Sequence, residues 1–248
     1  MDAALALVAF APGLALGSFL NVVVARVPLR RSIVSPGSSC PACTEPIAWY
    51  DNVPVLSYLL LRGRCRACGE RIPWKYPAVE LVTAALVSAC VVHFGLEAEA
   101  AVAALFCCAL VAVSATDLER RIIPNRIVLP AAAVVLAAQT VLYPSVEWVA
   151  AAFGAALFLF VAALAYPGGM GMGDVKLALL LGAALGRVTP VALMLGMVSA
   201  LVPAFVILAR HGRAGRKMAI PFGPFLALGG VVALFVGEPL LHAYLNIR

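Results

Sequence analysis

The chain has 248 residues, of which 64% are hydrophobic and only 12% charged, with mean hydropathy +1.03 and net charge +6. Soluble domains carry about twice that share of charge. The composition therefore excludes a soluble globular protein and predicts one built inside a lipid bilayer.

Apolar runs recur near residues 3–25, 77–94, 100–116, 127–143, 148–166, 175–190, 191–209 and 220–245. A hydrocarbon core of about 30 Å takes roughly 20 helical residues, so these runs predict eight transmembrane helices. The expected fold class is an all-α polytopic membrane protein with one small polar loop domain. Its parts are a first transmembrane helix at 1–27, a cytoplasmic four-cysteine loop domain at 28–76, and a transmembrane bundle at 77–248. The first run opens MDAALALVAF, with an acid and no Lys or Arg. Secretory signals start with a basic region, so this run reads as a retained span.

Lys and Arg favour the cytoplasmic side of short loops. With eight spans, one side holds 26–76 and the turns 117–126, 166–176 and 210–217, which carry sixteen of the eighteen basic residues. The other side holds Arg187 and Arg248. That asymmetry predicts a cytosolic 26–76 loop and both termini outside the cytosol. The net charge is thus a matter of topology and anionic lipid, and nucleic acid is not an expected partner.

The polar stretch contains CPAC at Cys40 and Cys43, then CRAC at Cys65 and Cys68, with 21 residues between the pairs. Two CxxC knuckles at such a separation form a four-cysteine zinc pattern. Two residues between thiolates let one tight turn present both sulfurs to a tetrahedral ion, and Gly69 suits such a turn. Disulfides are the alternative, but a cytosolic loop does not keep them. Four thiolates leave no open position for catalysis, so the expected metal is structural and supplies folding energy that a small core lacks. Cys90, Cys107 and Cys108 fall inside spans and read as apolar packing residues.

Four aspartates occur, and two sit in telling places. Asp117, in SATDLERRIIPNRI, ends the third span; Asp174, in GGMGMGDVKL, opens the sixth. An ionisable residue at the bilayer edge costs free energy and marks a functional site by default. Two carboxyls brought close together share a proton, so that one withdraws a proton from water while the other donates to a carbonyl oxygen. That is aspartic-protease chemistry. Gly171 and Gly173 would let an extended peptide approach the main chain, and Pro124 restarts a helix after a break. Lys176 shapes the local field or anchors at the headgroups. The plainer reading makes Asp174 a helix cap and pairs Asp117 with Arg120 or Arg121. Spacing alone leaves both open.

GMGD matches the Gly-x-Gly-Asp signature of intramembrane aspartic proteases. GMGDVKL with DLERRIIPN resembles the two catalytic motifs of the bacterial prepilin peptidases, the type IV leader peptidases. The similarity extends to GSFLNVVVARVP in the first span, to the CxxC pairs, and to RIPWKYPAVEL entering the second span. The resemblance implies a bifunctional enzyme of the bacterial inner membrane. It would remove the basic leader of type IV prepilins or pseudopilins at the cytoplasmic face. It would then N-methylate the new amino terminus with S-adenosylmethionine. It implies Asp117 and Asp174 as the catalytic dyad, and Cys40, Cys43, Cys65 and Cys68 as zinc ligands. The large first loop favours the two-activity form over a peptidase-only member.

For the S-adenosylmethionine site no GxGxxG-like nucleotide loop is present. Glu80, an acid just inside the second span, is the candidate, with a headgroup anchor or a partner of Arg71 or Lys75 as its plain alternative. The PGGMG break would admit the peptide. A transporter relaying ions through interfacial acids is the reading from another class. Its acids would sit near the midplane, at an internal repeat, and neither feature is evident.

Overall fold

The structure is a computed structural model that describes residues 2–166, 170–212 and 220–246. Residues 167–169 of the PGGMG break, and Arg213, Arg216 and Lys217 of the basic turn, lie outside the described residues.

Among the described residues nine α-helices follow in order: α1 (Asp2–Arg26), α2 (Leu56–Leu60), α3 (Lys75–Phe94), α4 (Ala98–Arg120), α5 (Asn125–Leu142), α6 (Glu147–Ala165), α7 (Met172–Leu185), α8 (Thr189–His211) and α9 (Gly223–Asn246). Short 3₁₀ turns sit at Val27–Leu29 (η1), Trp49–Asn52 (η2) and Gly186–Val188 (η3). Among the described residues there are isolated β-bridges but no strands. Among the described residues seven helical stretches are long and apolar enough to cross a membrane. One of them, Met172–His211, is divided by η3 into α7 and α8. The eight expected spans are therefore eight helices, and the protein is a multi-pass membrane protein. Large apolar side chains such as Leu7, Val141, Phe153, Leu157 and Phe205 stand exposed, as lipid-facing surface requires.

Several of these helices end where the backbone turns to positive φ. Gly95 (φ +77°) follows α3, Gly186 (φ +53°) follows α7, and Arg121 (φ +54°) follows α4. Glycine takes that conformation without steric cost.

The residues form two compact units, 1–112 and 113–248. In the first, α1 and α3 pair antiparallel through small residues. A Cβ on Gly13 would lie 2.7 Å from the Ala84 Cα, and one on Gly17 would lie 2.5 Å from the Glu80 Cα. Gly13 and Gly17 are four apart, so one helix face lets the two backbones meet. Ser88 Oγ donates to the Ala6 carbonyl at the far end of this pair. In the second unit α6 packs on α7 with Gly182 against Ala151 and Ala152, and α8 packs on α9 with Gly196 against Leu226 and Gly229 against Ala192. The start of α7 and the start of α9 both abut Ile123, just past α4. At the opposite end Arg187 is held by the Glu147 and Glu238 carboxylates.

Candidate active site and metal centre

The four cysteines of the polar loop converge. Their sulfurs all lie within 4.8 Å of one another, with Cys40 to Cys68 at 3.9 Å and Cys43 to Cys65 at 4.0 Å. All seven cysteines of the chain are free thiols. A tetrahedral zinc at about 2.3 Å from each sulfur requires S···S edges of about 3.8 Å, so the cluster has the size for such an ion.

The local backbone explains the convergence. SCPACTEPI (39–47) and RCRACGERI (64–72) are two copies of one short hairpin. In the first, the Cys40 amide donates to the Glu45 carbonyl and the Thr44 amide to the Cys40 carbonyl; in the second, Cys65 donates to Glu70 and Gly69 to Cys65. Ser39 bridges Pro46 just as Arg64 bridges Arg71. Thr44 (φ +61°) and Gly69 (φ +72°) occupy the same left-handed position after each second cysteine. The amides of Cys43 and Ala42 hold the Cys40 thiol down at about 7. The Glu70 amide favours the Cys68 thiolate, yet burial and the neighbouring sulfurs push that thiol up to about 12. Four adjacent sulfurs cannot all ionise without a cation between them, and a divalent metal supplies that charge. Arg66, from the second hairpin, grips Asp51 through two bonds of 2.7 and 2.6 Å. It holds the Asp51 carboxyl below the usual carboxylate range.

Glu80 lies in the same unit, buried on α3 against Gly17. Its Oε2 accepts the Val55 amide at 2.8 Å, with Ser18 and Asn21 of α1 beside it. Asn21 itself donates to the Tyr76 carbonyl. The Val55 amide and the helix pair fix the position of this carboxylate.

Asp117 and Asp174 belong to the second unit, and both are buried. Asp117 Oδ2 accepts the amide of Gly223, the first residue of α9, at 2.9 Å. Asp174 sits in the first turn of α7, where its Oδ2 accepts the Gly171 amide at 3.1 Å. Each carboxylate thus meets the positive end of a helix. Asp117 is close enough for its charge to act on Asp174. Ile123 links the two sites, since it abuts both Gly173 and Gly223. Lys176 donates to Asn125 Oδ1 at 2.8 Å and so ties α7 to the start of α5. Pro124 caps α5, whose amides at Ile127 and Val128 bond to its carbonyl. The arrangement presents two buried carboxyls, one in the last turn of α4 and one in the first turn of α7.

Two family profiles match the chain: the Bacterial Peptidase A24 N-terminal domain at residues 12–94, and the Type IV leader peptidase family at residues 104–209. A Bacillus subtilis prepilin leader peptidase/N-methyltransferase is 38% identical over 95% of this chain and 96% of its own length. The chain belongs to the type IV leader peptidase family. Proteins of the same name from Pseudomonas putida and Pseudomonas aeruginosa are 36% and 34% identical, over 95% and 94% of this chain and 92% and 91% of their own. No solved structure matches it.

The glycines of the GMGD motif also meet a packing requirement in this fold. Gly171 and Gly173 have ordinary backbone angles; neither has positive φ. What Gly173 provides is room, because a Cβ there would lie 2.8 Å from the Ile123 Cβ. Gly173→Ala is expected to cost about 1–3 kcal/mol of stability through overpacking and to slow catalysis. Adding Ile123→Gly, which removes that Cβ, should make the Gly173→Ala penalty smaller than in the native background for both, read from thermal unfolding and turnover in a double-mutant cycle. Gly223 was missed by sequence reasoning. The signal was available in IPFGPF, since proline just inside an apolar run marks a helix start, and a helix start offers amides to an anion.

Proposed function

We propose that this protein cleaves the basic leader of type IV prepilins or pseudopilins and then N-methylates the new amino terminus. The observation that carries the peptidase reading is the burial of Asp117 and Asp174 at two helix ends, each bonded to a glycine amide. The substrate's apolar stem lies along the bundle, which brings the scissile bond to the membrane edge. Asp117 and Asp174 hold a water between them. The ionised member takes a proton from that water as its oxygen attacks the carbonyl carbon. The protonated member donates to the carbonyl oxygen, and the C–N bond breaks as the departing amine receives a proton. The coupled pair titrates as a unit, so base and acid are roles of the pair. The family resemblance supports the assignment of both residues.

The methyl-transfer step rests on the name shared by the relatives, and S-adenosylmethionine as its donor rests on the family resemblance. Zinc held by Cys40, Cys43, Cys65 and Cys68 organises the loop domain and takes no part in either reaction. The family resemblance supports a bacterial inner-membrane protein, and the bias of basic residues supports a cytosolic loop with both termini outside the cytosol. A synthetic prepilin offered to the protein in vesicles should be cut after its basic leader. The mature fragment should gain the mass of one added methylene when S-adenosylmethionine is present. An uncut peptide overturns the proposal, and a cut but unmethylated product reduces it to the peptidase.

A further inference from the structure

The polar loop carries apolar surface that its zinc hairpins do not cover. Trp49 is 83% exposed, Trp74 75%, Leu60 73%, Leu59 65%, Leu56 54% and Tyr50 52%. Leu56, Leu59 and Leu60 share one face of α2, while Ser57 on the other face is buried. Ser57 Oγ donates to the Tyr50 carbonyl at 2.9 Å, which fixes η2 against α2. Trp49 and Tyr50 meet edge to face at 5.7 Å. The result is one aromatic and leucine-rich patch on a segment of a dozen residues.

The depth of this patch follows from one hydrogen bond. Val55, the residue before α2, donates its amide to Glu80. Glu80 lies five residues beyond Lys75, where the α3 span begins. At about 1.5 Å per residue that is some 7–8 Å along the helix axis toward the membrane interior. On the other side Glu80 packs against Gly17, nine residues before the end of α1 at Arg26. The start of α2 is therefore tied to the interior of a transmembrane helix pair, well below the level at which both helices leave the bilayer.

We infer that residues 49–60 form an interfacial element seated in the lipid leaflet beside α1 and α3, with Trp49, Leu56, Leu59 and Leu60 in contact with the headgroup and acyl boundary. The occupant of the patch is lipid because its segment is tied at the level of Glu80, where Phe19 of α1 and Leu81 and Val82 of α3 are themselves exposed apolar surface of the two spans. Interfacial segments bury their apolar face about 5–10 Å into that boundary, which matches the level of Glu80. Tryptophan and tyrosine favour the same layer, and Trp74 stands where α3 enters it. Arg62 and Arg64 follow α2 directly, Arg30 and Arg31 follow η1, and all four are exposed. Such a basic fringe complements anionic headgroups. The zinc hairpins then rest on the bilayer surface at a fixed height.

The test uses full-length protein in vesicles of phosphatidylcholine and phosphatidylglycerol. The chain has three tryptophans, so Trp74→Phe with Trp148→Phe leaves Trp49 as the reporter. Phosphatidylcholine brominated near the carbonyl end of its acyl chains should remove most of the Trp49 emission, and aqueous acrylamide should remove little. Free quenching by acrylamide with no effect of bromine overturns the inference. So does shielding of Trp49 that appears only on adding a prepilin, which would make the patch a protein-docking face. If the double variant loses its metal, the native sequence labelled with 5-fluorotryptophan gives the same answer. Its Trp49 resonance, assigned through Trp49→Phe, should broaden with a lipid-borne nitroxide and not with an aqueous gadolinium chelate; the reverse pattern overturns the inference.

Discussion

Asp117→Asn and Asp174→Asn are each expected to lower leader cleavage by about 10³-fold or more, within the range that general acid–base groups contribute. Asparagine is the informative replacement. Its side-chain oxygen still accepts the Gly223 amide at residue 117 and the Gly171 amide at residue 174, so both helix ends keep their partners. What it cannot do is exchange a proton with water or with a carbonyl oxygen. Alanine would confuse two effects, because a buried amide left without an acceptor costs about 1–3 kcal/mol on its own. The same comparison separates a catalytic Asp174 from one that only caps α7. A cap survives the change to asparagine, whereas a proton-transferring group does not. Cleavage is measured on a synthetic prepilin in vesicles, alongside metal content and helical content as controls for folding. Near-normal turnover in either asparagine variant would remove that residue from the chemistry.

The features legible in the sequence were those fixed by local chemistry. Apolar runs gave the spans, cysteine spacing gave the metal pattern, and the two acids stood out because a bilayer makes acids rare. Partnerships across the chain were not legible. Asp117 bonds to Gly223, 106 residues away, and nothing at either position names the other. Glu80 stood out as an acid just inside a span, but nothing in the sequence named the Val55 amide, 25 residues back, as a partner of its carboxylate. Helix faces were equally hidden. In water, polarity marks the outward face of a helix; in lipid both faces are apolar, so Gly13 and Gly17 show the α1 contact face only after it is seen. The twofold hairpin of 39–47 and 64–72 was hidden because cysteines alone were counted, while Ala42 and Ala67, Glu45 and Glu70, Ile47 and Ile72 repeat around them.

Removing the metal is expected to unfold the hairpins while leaving the transmembrane helices intact. Cys65→Ser or a strong chelator should abolish stoichiometric zinc and open the hairpins at 39–47 and 64–72 to protease. Zinc binding to such sites is worth about 10–16 kcal/mol near neutral pH, far more than this loop draws from its other contacts. Among the side chains of its hairpins only Cys40 is buried among the hydrophobic residues, and the Asp51–Arg66 pair is an exposed one of small weight. The α1–α3 pair does not need the metal, since Gly13 and Gly17 pack on α3 backbone and Glu80 still binds the Val55 amide. Helical content should therefore change little as protease sensitivity rises. Acid should act in the same direction. Metal holds the cysteines as thiolates, so their folded, metal-bound pKa values lie below the unfolded ones. The stability they confer is present at neutral pH and is lost as pH falls and protons displace the ion. Asp51, held low by Arg66, loses its smaller contribution in the same fall. Zinc-free protein whose hairpins resist protease as well as the metal-bound form would show that the cysteine cluster is not what holds the loop together.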